Sequence, residues 1–170
     1  MKKYQHVALE KERLNDQLMT LLKKISLIFI IILALIQFIQ PARNQNGQVL
    51  DTDISKIVFV PENVQMLLKK SCFNCHSNYT NYPFYIYIQP AGWFLSYHIQ
   101  NGKEKLNFSD FGSYSKRKQE SKLKSIAEQI ENDVMPLASY TFIHRDAILA
   151  IEDKNVIINW ANNTRDSLSH

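Results

Sequence analysis

The sequence predicts an all-α protein, with one helical domain behind a single N-terminal membrane-spanning helix. Three observations predict this class. Apolar residues recur at the helical spacing i, i+3, i+4 and i+7 between residues 123 and 130. An uncharged, apolar run covers residues 25–39. Alternation with a period of two is weak, and Phe84–Ile88 is the best candidate for a strand.

The composition is that of a globular chain. The 170 residues are 45% hydrophobic and 21% charged, which allows one domain of ordinary size plus an appendage. The four glycines are widely scattered, so a glycine-rich loop that binds phosphate cannot form. This excludes the P-loop and the dinucleotide-binding fingerprint.

The apolar run Ile25–Ile39 predicts a membrane anchor over residues 25–40, after a leader over residues 1–24. As a helix the run spans about 22 Å, which is less than the ~30 Å hydrocarbon core. Leucines in the preceding turns lengthen it if Lys23 and Lys24 extend to the headgroups. A cleaved signal peptide and a buried core helix are the alternatives. The long leader, the missing small-x-small pair and the uniform Ile/Leu content favour an uncleaved anchor.

Charge predicts the topology of this anchor. Six cations and three acids lie in residues 1–24, whereas Arg43 is the only nearby cation after the run, so the N-terminus is expected in the cytoplasm. From Pro41 onward, 14 basic and 13 acidic groups give a net charge of +1, which argues against nucleic-acid binding. The predicted segments are a cytoplasmic leader (1–24), an anchor (25–40), a linker (41–53), a globular domain outside the membrane (54–163) and a C-terminal tail (164–170).

Four helices are predicted in the globular part. The first begins at a proline, where a missing N–H costs nothing, and the second ends before Gly102 as a plausible C-cap. The third and fourth carry apolar residues on one face. The predicted bounds are Pro61–Ser71, Gly92–Asn101, Lys116–Asn132 and Ile151–Asn162.

Both cysteines fall in one motif, Cys72-Phe73-Asn74-Cys75-His76. A thioredoxin-type dithiol would begin a helix, whereas this pair follows a predicted helix, whose dipole would raise the thiol pKa values. A zinc site needs four ligands, and the motif supplies three. Covalent haem attachment uses all three residues, because two thiols add to the vinyl groups and the imidazole binds the iron. The motif favours one covalent haem c per chain, with Cys72 and Cys75 as the thioether residues and His76 as the proximal ligand.

Further positions match a known family. They are Cys75–Asn78, Tyr82-Pro83, Trp93, His98, Gly102, Leu106–Ser109, Met135–Leu137, Ser139-Tyr140, His144, Ala147 and Trp160-Ala161. Over about residues 55–162 the chain resembles the small bacterial membrane-anchored haem-binding domains with a CxxCH motif, and it is similar to class I c-type cytochromes. The resemblance implies a cytochrome c-like helical domain wrapped around haem c. One departure is that Val64, Leu67 and Leu68 stand where such cytochromes usually have a glycine and an aromatic residue, facing Trp160.

Met135 is the predicted distal ligand of the iron. It lies 59 residues after His76 and is followed by Pro136, whose fixed φ suits an irregular loop. Together with the resemblance, this spacing indicates His/Met ligation. His98 is the bis-histidine alternative, although we expect it to line the pocket near a propionate.

The other candidates have structural roles in this interpretation. Met66 is expected to pack, and His144 to sit in a turn or cap before the last helix. Aromatic residues are concentrated between Phe73 and Tyr97, and one or two of these rings are expected to lie against the porphyrin, with Trp93 as a pocket candidate.

The function predicted from these patterns is electron transfer by a monohaem c-type cytochrome at the bacterial cytoplasmic membrane. The expected partners are the membrane, through residues 25–40, and an unidentified redox protein. No nucleophile–base–orienter set is visible, so an enzyme is not expected. The alternatives are a haem-based sensor that binds CO or NO, and a non-haem protein whose CxxC forms a redox disulfide.

Overall fold

The computed structural model describes residues 2–169 and confirms the all-α class. Within that range no β-strand forms, and Gln45 and Tyr79 make one isolated antiparallel bridge. His170, which ends the predicted tail, lies outside the described residues. The helices are α1 (Lys2–Ile36), α2 (Ile54–Ile57), α3 (Glu62–Ser71), α4 (Phe73–His76), α5 (Ala91–Lys105), α6 (Lys116–Glu131), α7 (Ala138–Ile143) and α8 (Ile151–Leu168), with 3₁₀ turns at Phe84–Tyr87, Phe108–Ser113 and Arg145–Ala147.

The first of two compact units contains the chain up to Pro41 together with Tyr85–Trp93. Its main element is α1, which runs without interruption through the predicted leader and most of the predicted anchor. The stretch Glu10–Ile36 is long and apolar enough to cross a membrane, and its most apolar window is not buried against other residues.

Phe84–Ile88, the best candidate for a strand, does not form one. Phe84–Tyr87 forms a 3₁₀ turn, and the backbone N–H of Ile88 donates to the Tyr85 carbonyl at 3.0 Å. Alternating aromatic and β-branched residues favour a strand only where a neighbouring strand can pair with them. Without such a neighbour, local hydrogen bonds satisfy the backbone here.

The second unit comprises Ala42–Phe84 and the chain from Phe94 onward. Its core forms where α3, α6, α8 and the 3₁₀ turn at Phe108–Ser113 meet. The predicted packing of Val64 and Leu68 against Trp160 is confirmed, because all three belong to one buried cluster. The most buried members of that cluster are Ile54, Val64, Leu68, Phe108, Phe111, Leu123, Ile157 and Ala161.

The predicted linker, except for Pro41, falls in this second unit. The Asn44 backbone N–H donates to the Tyr82 hydroxyl at 2.8 Å, and its side-chain amide donates to the Ser77 carbonyl at 2.8 Å. Further along, the Thr52 hydroxyl donates to the Ser109 carbonyl at 2.9 Å. Asn44 and Thr52 thus bond the domain, and the compact unit begins at Ala42 rather than at residue 54.

Two helix ends also differ from the predictions. Helix α5 continues past Gly102 to Lys105, and α8 continues to Leu168, past the predicted end at Asn162. Gly102 is not a C-cap, because no glycine in the described chain has a positive φ. Its role is packing at the site, as described below.

Candidate functional site

The Cys–His motif forms a single helical turn. Cys72 ends α3 and begins α4, and its carbonyl accepts hydrogen bonds from the backbone N–H groups of Cys75 (3.1 Å) and His76 (3.0 Å). A turn of this kind gathers residues three and four apart on one side. Cys72, Cys75 and His76 therefore lie together along one wall of a cavity.

The His76 ring is held by the chain that follows α5. Its Nδ1 lies 3.0 Å from the Leu106 carbonyl oxygen, which can only accept, so Nδ1 carries the proton. Burial lowers the pKa of His76, which favours the neutral ring. The Nε2 lone pair is then available to a metal, because the hydrogen bond made by the other ring nitrogen selects the tautomer.

A polar network fastens the motif to the 3₁₀ turn at Phe108–Ser113. The Asn78 backbone N–H donates to the Ser109 hydroxyl at 3.1 Å, and the Asn107 amide donates to the Asn78 side-chain oxygen at 2.8 Å. Beside it, the Phe73 and Phe108 rings stack at 5.0 Å, and the His76 ring meets Phe108 edge-on. The fully buried Phe108 therefore links the motif to the core.

Both cysteines are free thiols. Burial raises the pKa of Cys72 to about 12, with a further contribution from Cys75, and burial raises the pKa of Cys75 to about 11. The predicted direction is thus confirmed, but the helix dipole is not the main cause. The thiols are protonated at neutral pH, which is unlike the low-pKa cysteine of a dithiol oxidoreductase.

The cavity beside this wall has a volume of about 290 Å³. It brings together five of the six sequence-predicted site residues; the sixth, Trp93, lies in the other compact unit and donates from Nε1 to the Ile39 carbonyl at 2.8 Å. Met66 also lies elsewhere and is exposed, contrary to its predicted packing. The lining residues are Ser71, Cys72, Asn74, Cys75, His76, Tyr97, His98, Asn101, Gly102, Lys105, Met135, Pro136, Leu137 and Tyr140.

Met135 is placed by the way α6 ends. Asp133 adopts a left-handed conformation, with φ of 57°, and forms an ion pair with Lys154 of α8. The backbone N–H groups of Val134 and Met135 both donate to the Gln129 carbonyl, at 2.9 and 3.0 Å. The reversal fixes the backbone of Met135 at the cavity, and the following peptide bond to Pro136 is cis.

His98 enters the cavity from α5. Its Nε2 is buried and has no hydrogen-bond partner in the described part of the chain, and the same holds for the Ser71 hydroxyl. The Phe94 and Tyr97 rings pack edge-on against the imidazole, at centroid distances of 4.4 and 5.8 Å. A buried polar atom without a partner is costly, so this nitrogen is suited to a group that enters the cavity.

Tyr140 and Asn74 are site residues for which the sequence predicted no role. The Asn74 amide donates to the Tyr140 hydroxyl at 2.8 Å, and the Tyr140 ring stacks on His144 at 4.3 Å. Burial raises the pKa of Tyr140, so the hydroxyl keeps its proton and can donate it. His144 ends α7, which confirms its predicted role as a cap.

Comparison with protein-family models identifies the chain. A model described as a haem-binding domain matches residues 31–163, which is more than half of the sequence. The chain belongs to this family of haem-binding domains. Comparison with curated proteins and with solved structures found no match.

The residues of this haem-binding domain fit a haem. A neutral imidazole with an available Nε2, two thiols and a thioether share one cavity, and His98 offers a buried nitrogen without a partner. Cysteine, histidine and methionine are the side chains that attach and ligate haem c. The cavity volume of about 290 Å³ lies just below the range for small-molecule sites, ~300–1,000 Å³.

Gly102 brings α5 close to the motif of this haem-binding domain. A Cβ at this position would lie 2.6 Å from the Cys75 carbonyl oxygen, closer than atoms can approach. We therefore expect Gly102→Ala to push the two elements apart, to lower the yield of haem-loaded protein and to reduce the free energy of unfolding by about 1–3 kcal/mol. Urea denaturation and haem absorbance measure both effects. Gly47→Ala is the matched control, because its Cβ would make only an ordinary contact with the Tyr79 ring; equal losses in both variants would contradict the prediction.

Proposed function

We propose that this haem-binding domain is a membrane-anchored monohaem c-type cytochrome that transfers electrons outside the cytoplasmic membrane. The observation that supports it most is the convergence of Cys72, Cys75, His76 and Met135 on one cavity. In this proposal the two thiols attach one haem covalently. His76 binds the iron as proximal ligand and Met135 as distal ligand.

Electron transfer is the activity that this set of ligands favours. When bound, haem supplies a single reversible electron transfer, and a methionine opposite histidine raises its reduction potential. With His76 and Met135 both holding the iron, no coordination position would be left for a substrate. We therefore propose that the chain is not an enzyme and that its partner is a redox protein.

The location in the proposal depends on α1. The stretch Glu10–Ile36 could cross a membrane, and cations precede its apolar part. By the positive-inside tendency the N-terminus lies in the cytoplasm and the domain outside. The outer side is also the oxidising side in bacteria, where paired cysteines meet oxidants.

Potentiometric titration of the full-length, haem-loaded protein in detergent tests the proposal. We expect one reversible one-electron transition, a low-spin spectrum in both oxidation states and no change when CO is added to the ferrous protein. A wild-type protein that binds CO readily would instead favour the haem-based sensor. A purified protein that gives no pyridine haemochrome signal after expression with a cytochrome c assembly system would overturn both haem functions.

A further inference from the structure

The end of α1 carries a group of exposed apolar side chains that the proposed electron transfer does not use. Phe38 is 85% exposed and Ile39 is 62% exposed, just after the helix. Tyr87 and Ile88, in the segment of the same compact unit that is distant in sequence, are 64% and 54% exposed. We call these four residues the apolar collar.

Three glutamines join the two chain segments that bear the collar. The Gln37 side chain donates to the Gln89 carbonyl at 3.2 Å and accepts from the Gln89 backbone N–H at 2.8 Å. The Gln40 side chain donates to the Tyr87 carbonyl at 3.3 Å and accepts from the Gln89 amide at 3.1 Å. We call Gln37, Gln40 and Gln89 the glutamine clamp.

The clamp also satisfies backbone groups that the end of a helix leaves without partners. Gln37 donates a second hydrogen bond to the Leu33 carbonyl at 2.8 Å, and Gln40 donates to the Gln37 carbonyl at 2.9 Å. The Trp93 indole N–H donates to the Ile39 carbonyl, and the Trp93 backbone N–H donates to the Gln89 side-chain oxygen at 2.9 Å. Irregular backbone is tolerated near hydrocarbon only when its polar groups are paired within the protein. The carbonyls of Leu33, Gln37, Ile39, Tyr87 and Gln89 are paired in this way.

Gly92 allows the clamp to close. A Cβ at residue 92 would clash with the Ile86 carbonyl oxygen and would lie 2.8 Å from the Gln89 side-chain amide nitrogen. Only a residue without a side chain permits the turn at residues 86–92 to pack this tightly. The position of Tyr87 and Ile88 beside the end of α1 is therefore built by several independent contacts.

Helix length indicates what covers the collar. The uncharged part of α1, from Ile25 to Ile36, spans only about 18 Å, whereas the hydrocarbon core is ~30 Å thick. The leucines before Lys23 extend the apolar surface at the inner end, and the collar extends it at the outer end. Apolar surface that continues beyond the last helical residue would reduce this mismatch. Aromatic and aliphatic residues next to a membrane span are also typical of the interface between acyl chains and headgroups.

We propose that the apolar collar lies in the outer interface of the lipid bilayer, so that residues 85–93 form a second membrane-contacting segment held to the anchor by the glutamine clamp. This inference rests on the proposed role of α1 as a membrane anchor. Lipid is the occupant because the collar continues the exposed apolar surface of α1.

Photolabelling in vesicles tests the proposal. Full-length, haem-loaded protein is reconstituted in phosphatidylcholine–phosphatidylglycerol vesicles that contain a phospholipid with a diazirine on its acyl chain. After irradiation, peptide mass spectrometry maps the labelled residues. We expect label on residues 28–33 and also on Tyr87 and Ile88, with Ile151, which is 72% exposed on α8, as the measure of background.

The outcomes separate the two proposals. Label on residues 28–33 with only background label on Tyr87 and Ile88 would overturn the collar and leave the anchor; a protein partner covering the collar would give this result. Only background label on residues 28–33 would overturn the anchor itself.

A variant tests the clamp. Gln89→Ala removes the side-chain bonds to Gln40 and Trp93, so we expect label on Tyr87 and Ile88 to fall several-fold while label on residues 28–33 stays unchanged. Gln100→Ala, at an exposed position of α5, is the matched control and should change neither. Full labelling of the collar in Gln89→Ala would refute the role of the Gln89 side chain in the clamp, because the Gln37 bonds to the Gln89 backbone remain in this variant.

Discussion

Removing His76 is expected to have the largest effect of any single substitution, a loss of at least about tenfold in haem-loaded protein. Even outer-shell partners of a metal ligand typically contribute ~10–100-fold in metal affinity, and His76 is itself the proposed ligand. Leu106 and Phe108 already orient the His76 ring. His76→Ala therefore removes the available Nε2 lone pair and leaves empty space beside the two thiols. Haem absorbance per polypeptide measures the loss. His144→Ala is the control, because it removes an imidazole that does not line the cavity.

The two thiols are expected to act separately from the imidazole. Cys72→Ala and Cys75→Ala should each leave one thioether, so haem stays on the polypeptide but the ferrous pyridine spectrum shifts to that of a singly attached group. The double variant should release all of its haem into acid–acetone. Release of haem from the wild-type protein under the same conditions would refute covalent attachment, whatever the His76 variant shows.

The sequence was sufficient to predict the helical class and the grouping of the Cys–His motif residues at one site. Periodic apolar residues become the buried faces of α3, α6 and α8, because burial of such a face largely determines where a helix packs. A motif within five residues of sequence needs only one helical turn to assemble, and α4 supplies that turn. For such local patterns, the spacing of the residues in the sequence is enough to predict their arrangement in space.

Other features depend on contacts that are distant in sequence. Gly102 matched the signal for a C-cap, but it serves as the point of closest approach to Cys75. Trp93 was grouped with the pocket aromatics, yet its indole bonds a carbonyl at the end of α1. The signal for the missed lining residues was the helical spacing of Tyr97, Asn101 and Lys105 on the face that also bears His98. Such assignments require knowledge of which surfaces meet.

Replacing Met135, the proposed distal ligand, is expected to give the second large effect. Met135→His should keep a low-spin haem but lower its reduction potential by on the order of 0.1 V, within the ~0.8 V that axial ligands cover. Met135→Ala should leave one axial position open, so that the ferrous protein binds CO. Because the reversal at Asp133 and the bonds to the Gln129 carbonyl hold the backbone, neither variant removes what places this residue at the cavity. Met66→Ala, at an exposed position on α3, is the matched control.

His98 is the competitor that makes this test decisive. Its Nε2 is buried without a partner, and the residue lines the same cavity as Met135, so either side chain could supply the second axial donor. If Met135 is the ligand, His98→Ala should leave the low-spin ferric spectrum intact and change only the potential or the free energy of unfolding. If Met135→Ala leaves that spectrum unchanged while His98→Ala turns it high-spin, the iron has two histidine ligands. The ordered turn at Met135–Pro136 would then only close the cavity wall, and the potential would be lower than His/Met ligation gives.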